Sequence, residues 1–126
     1  IKQPDQENVS AQMRDTWEAF KNFSVEQKNE AVEMARRALA NLDEEIDEAQ
    51  KEIDRGWQNL SQEARLEKQE TLSELKDERS ELQGEYQELQ AASANNWEEA
   101  KRRFGSAWQS TQQAWRDLTA PNPDTE

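Results

Sequence analysis

From Val32 to Leu60, apolar residues recur at spacings of three and four: Val32, Ala35, Leu39, Leu42, Ile46, Ala49, Ile53, Trp57 and Leu60. That is the period of an a/d seam on a helix packed against another helix. Small Ala35 and Ala49 alternate with larger residues and allow close helix approach. Nothing interrupts the pattern, because prolines stand only at positions 4, 121 and 123. The whole span between them is free to be helical.

A second seam reads Leu72, Leu75, Arg79, Leu82, Tyr86 and Leu89. Ser61 can cap its N-terminus, and Gly56 and Asn59 weaken the helix just before it. The chain therefore reverses near residues 56–62. Trp57, Leu60 and Leu66 are candidates to close the tip of the resulting antiparallel hairpin. At 1.5 Å per residue its arms extend about 50 Å. Ser24-Val-Glu-Gln27 is a capping box that starts the first arm. Arg79 occupies a seam position, where it reads as a register-setting residue paired with Asp47 or Glu48 across the hairpin.

Shorter amphipathic helices flank this hairpin. Over residues 6–22, Val9, Met13, Thr16 and Phe20 lie at heptad spacing, Phe23 continues the series just past the end, and Trp17 lies alongside. Over 96–118, Trp97, Phe104, Trp108 and Trp115 share one stripe, widened by Ala100, Ala107, Thr111 and Leu118. Lys101, Arg102 and Arg103 read as its polar side. Gly84 and Gly105 fall on polar faces, as exposed glycines costing about 1 kcal/mol each. The expected fold is all-α, a single helical domain over 1–126. It consists of a long antiparallel hairpin with two flanking amphipathic helices, a three- to four-helix bundle of coiled-coil character. Helices are expected at about 6–22, 24–58, 61–92 and 96–118, with disordered tails at 1–5 and 119–126. One alternative fuses the last two helices into a rod through a stutter at Ser93.

Composition then narrows function. Leu, Ile, Val and Phe make up only 18 of the 126 residues, and the net charge is −12. A seam satisfies this scarcity, because it needs apolar residues at only two positions in seven. The hairpin, residues 24–93, holds −10 of the −12. The rows Glu44, Glu48, Glu52 and Glu70, Glu74, Glu78 are therefore read as solvated faces rather than Ca²⁺ or Mg²⁺ ligands. The chain contains no His and no Cys. That removes the commonest general base near neutral pH, thiol chemistry and typical zinc sites. No phosphate-binding glycine loop is present. The expectation is a non-enzyme with no cofactor, no metal and no catalytic residues. Acidity argues against nucleic acid as a partner, and no segment is apolar enough to span a membrane.

The aromatic face formed by Trp17, Phe20, Trp97, Phe104, Trp108 and Trp115 is the candidate interaction surface. It reads either as a bundle core or as a face for peripheral membrane contact. Self-association, with a homodimer as one form, or binding to another protein is the expected mode of action. The alternative is a module that covers lipid or an apolar client, as a chaperone-like holdase does.

The run Leu72-Ser-Glu-Leu-Lys-Asp-Glu-Arg-Ser-Glu-Leu82, followed by Tyr86-Gln-Glu-Leu-Gln-Ala-Ala-Ser93, Asn96-Trp97-Glu-Glu-Ala-Lys101, Ala107-Trp108 and Ala114-Trp-Arg-Asp-Leu118, resembles a group of small bacterial helical proteins. These are coiled-coil, apolipoprotein-like proteins often labelled stress-response proteins. The resemblance covers roughly residues 61–118 and more loosely 24–60. It departs from the group at Ser93-Ala-Asn-Asn96, which lacks glycine. It implies an accessory stress or envelope role without catalytic residues. The expected compartment is then bacterial cytoplasm or periplasm, and periplasm if a leader precedes residue 1.

Overall fold

The computed structural model describes residues 5–119, with side chains from residue 11 onward. It contains four helices: α1 (Asp5–Phe20), α2 (Lys28–Gly56), α3 (Gln62–Ala91) and α4 (Trp97–Thr119). Single 3₁₀ turns at Val25–Gln27 and Trp57–Asn59 bracket α2. Each helix packs against the next in the chain, and α4 returns to α1. Short connections make sequential neighbours antiparallel, so the four form a closed up-down ring. The most extensive contact is between α3 and α4.

The all-α bundle follows from the seams. Ala35, Leu39, Leu42 and Ile46 of α2 face Leu72, Leu75, Leu82, Tyr86 and Leu89 of α3 within one buried cluster. At the start of α2 it is Ala31 that is fully buried, while Val32 is half-buried. Val9 lies outside the residues whose side chains are described. Asp5 and Thr119, expected in the tails, are helical. Residues 1–4 and 120–126 lie outside the described part.

The joints explain why no glycine is needed to turn the chain. No described residue has a positive φ angle. After α3, Ala92 is extended (φ −65°, ψ 143°), and a helix cannot continue through it. The fused-rod alternative is thereby excluded. At this joint the Ser93 N–H donates to Asn96 Oδ1 at 2.7 Å, and the Ser93 hydroxyl reaches the same oxygen at 3.1 Å. The α1–α2 joint repeats the arrangement, with the Ser24 N–H donating to Gln27 Oε1 at 3.0 Å. Both are reciprocal turns in which a polar side chain three residues on satisfies an orphan amide. At the far end the Ala64 N–H donates to Ser61 Oγ at 3.1 Å, an N-cap on α3.

Each helix C-terminus is capped by a cation from a different helix. Lys101 Nζ of α4 donates to the carbonyls of Lys21 (2.8 Å) and Phe23 (2.9 Å), just past α1. Arg65 of α3 donates to the carbonyl of Trp57 at 3.0 Å, beyond α2. Lys28 of α2 reaches the Ala92 carbonyl at 2.6 Å, and Lys68 of α3 reaches Leu118 in α4 at 2.7 Å. The bonds to Ala92 and Leu118 satisfy carbonyls that a helix leaves open, and all of them place positive charge close to the negative end of a helix dipole.

Three expectations are corrected. Lys101 is buried rather than on a polar side. Gly105 is also buried, and a Cβ there would meet the Trp17 ring at 2.2 Å. Gly84, by contrast, faces open space. Finally, Arg79 pairs with Asp43, Nε to Oδ1 at 2.7 Å and Nη2 to Oδ2 at 2.9 Å. Asp47 is already engaged by Lys51 at 3.2 Å.

Candidate interaction surface

The six aromatic residues proposed from sequence lie in or against one cluster. Phe20 of α1 sits 5.0 Å from Phe104 of α4, centroid to centroid, and Phe104 lies 6.1 Å from Trp108. Trp17 stacks on Phe20 at 5.8 Å and is half-buried. Trp97, Phe104, Trp108 and Trp115 are each no more than 3% exposed. Two indoles are anchored by their N–H groups, Trp108 to the Met13 carbonyl at 2.8 Å and Trp97 to the Phe23 carbonyl at 3.1 Å. Apart from Trp115, the aromatic face therefore lies in the seam that α4 makes with α1 and the turn after it.

The indole N–H of Trp115 is different, being buried with no hydrogen-bond partner. Trp115 stands near the end of α4, where the bundle thins. At about 1.5 Å per residue, α2 and α3 run for about 45 Å, α4 for about 35 Å and α1 for about 24 Å. The end of α4 meets α3 at Lys68, so the last turns of the hairpin project past it. Burial follows this geometry. Ile46 is the last fully buried residue of α2, while Ala49, Ile53, Trp57 and Leu60 are only half-buried. Leu66, expected to help close the tip, is 56% exposed and the only exposed large apolar residue described. Arg65 lies over the Trp57 ring at 5.4 Å, which covers one face of that indole.

A cleft of about 280 Å³ opens at this end. Ala49, Ile53, Gly56, Leu60, Trp115 and Leu118 form its apolar part, with Glu45, Glu48 and Glu52 along its α2 side. Lys68 is also on its lining, and burial pushes that ammonium below the usual lysine range. Among the described residues, no three acidic side chains are gathered so as to hold a metal ion. None of the described helices is long and apolar enough to cross a membrane.

The class this geometry defines is an acidic four-helix bundle that, among the described residues, has one incompletely covered end. Comparison with protein-family models, with curated proteins and with solved structures returns no match.

Proposed function

We propose that this chain is a non-enzymatic helical-bundle protein, a scaffold or stress-related accessory factor, that acts by associating with protein through the tip of its α2–α3 hairpin. One observation carries the reading. The apolar seam continues past the point where α4 ends, leaving Ile53, Trp57 and Leu60 half-covered and Leu66 exposed. A seam continued beyond its intramolecular partner is a surface that a further chain can complete.

The competing reading, in which Trp faces open to cover lipid or a client, has a higher structural cost. It separates α1 from α4, losing the Phe20–Phe104 contact and the bonds of Trp97, Trp108 and Lys101 to α1 and its following turn. Native fluorescence distinguishes the two. Buried indoles emit toward the blue, and anionic vesicles should leave that emission unchanged if the hairpin tip is the working surface.

The direct test places a photo-crosslinking residue at Leu66 and, as a remote control, at Arg37, followed by irradiation in whole-cell extract. A defined adduct at 66 and none at 37 is expected, whether with a second copy or another protein. No adduct at 66, with sedimentation as a bare monomer, would overturn the proposal.

A further inference from the structure

The tip reading leaves the chemistry of the partner open, and the cleft beside Trp115 narrows it. Its volume of about 280 Å³ lies just below the range of about 300–1,000 Å³ in which a pocket encloses a drug-sized molecule. A cleft of that size suits an anchor side chain from a larger partner. Its apolar part, Ile53, Leu60 and Leu118, sets the anchor as aliphatic or aromatic.

Charge sets the rest. Residues 43–70, which form this end of the hairpin, carry ten carboxylates against four cations. Two of those cations already serve the bundle, Arg65 on Trp57 and Lys68 on the Leu118 carbonyl. A third, Lys51, is paired with Asp47. Glu48 and Glu52 are exposed on the cleft's side and have no ion pair among the described residues. A second copy would bring the same carboxylates against these, and like charges juxtaposed at an interface cost several kcal/mol.

Resting on the tip reading above, we propose that the cleft receives an apolar anchor of a basic amphipathic segment from a different protein. The segment's lysines or arginines lie along Glu48 and Glu52.

The probe is a synthetic helix of about 14 residues (four turns), with Leu at i, i+3, i+4 and i+7 and Lys elsewhere, titrated calorimetrically into the whole chain. Its counterpart replaces every Lys with Glu. The basic peptide is expected to bind at least about tenfold tighter than the acidic one. Glu48→Gln/Glu52→Gln should weaken it about tenfold. Glu70→Gln/Glu74→Gln makes the same charge change on α3 outside the cleft and should change affinity less than about twofold. Equal loss from both glutamate pairs would reduce the effect to net charge and overturn the proposal. So would equal binding of the two peptides, or no binding of either. The crosslinking at Leu66 stands apart from these results. An adduct there without peptide preference keeps tip association and discards the basic partner.

Discussion

Gly105→Ala separates two effects that usually travel together. Alanine in a helix interior gains about 1 kcal/mol over glycine. At Gly105 the added Cβ would lie 2.2, 2.5 and 2.7 Å from the Cη2, Cζ2 and Cζ3 atoms of Trp17. Carbon contacts settle at about 3.5–4.0 Å, so the ring has to retreat by roughly 1.3 Å or more. It has little freedom to do so, being stacked on Phe20 and carried by a helix tied to α4 through Trp108. Overpacking of this kind costs about 1–3 kcal/mol. Gly84→Ala meets nothing within 4 Å and should show the helix gain alone, about 0.5–1 kcal/mol. Urea melts followed by circular dichroism should therefore rank Gly84→Ala above wild type and Gly105→Ala at or below it. In a Trp17→Ala background, Gly105→Ala should become stabilising, with a coupling of about 1–3 kcal/mol in the double-mutant cycle. If Gly105→Ala stabilises the wild-type chain as much as Gly84→Ala does, the close packing of Trp17 on α4 is wrong.

Lys101→Met should destabilise by about 1.5–3 kcal/mol, since a buried charged donor to two carbonyls is lost; chemical denaturation reads this directly, and a loss below 0.5 kcal/mol would refute the cap. Trp108→Phe removes a paired indole N–H and Trp115→Phe an unpaired one, so thermal melts should show Trp108→Phe costing about 0.5–1.5 kcal/mol more, the net worth of one hydrogen bond to a carbonyl that keeps its intrahelical partner. Hydrogen bonds from Arg36 to Glu33, and from Arg102 and Arg103 to Glu99, hold both carboxyls below the usual glutamate range. Their contribution is full above the unfolded value of about 4.3 and is lost as pH falls through the lower folded values. Glu33→Gln/Glu99→Gln should accordingly show a smaller drop in Tm between pH 6 and pH 3 than wild type, and an equal drop would count against these pairs.

The helices and their seams were legible because burial in a ring of antiparallel helices repeats every three or four residues, and Leu39, Leu42, Leu75, Leu82 and Leu89 carry that period openly. What escaped was the second buried strip of α4. Lys101, Gly105, Trp108 and Gln112 recur at spacings of four, three and four and are buried, with the first three in contact with α1 or the turn after it. Three of those four are not apolar, so hydropathy marks the strip as surface. The spacing itself was the available signal. The helix caps escaped for another reason. Lys101 and Lys28 act on carbonyls 64 to 80 residues away, and only the assembled register brings them there. The aromatic residues are the strongest apolar signal in the sequence, and the bundle consumes them. The tip is exposed because of relative helix lengths, a property of two chain segments compared and not of either alone.

The caps have a direction. Among the described residues, α2 serves α3, α3 serves both α2 and α4, and α4 serves α1, while α1 receives a cation and supplies none. Detaching α1 strips no other helix of its cap, whereas opening α3 uncaps two. The shortest helix is thus the natural first step of any partial opening, and amide exchange should rank α1 as the earliest to lose protection. An open form of this kind would be a three-helix body with Phe104 and Trp108 newly wet. The amount of denaturant needed to reach it measures how tightly the fold keeps its aromatic face closed.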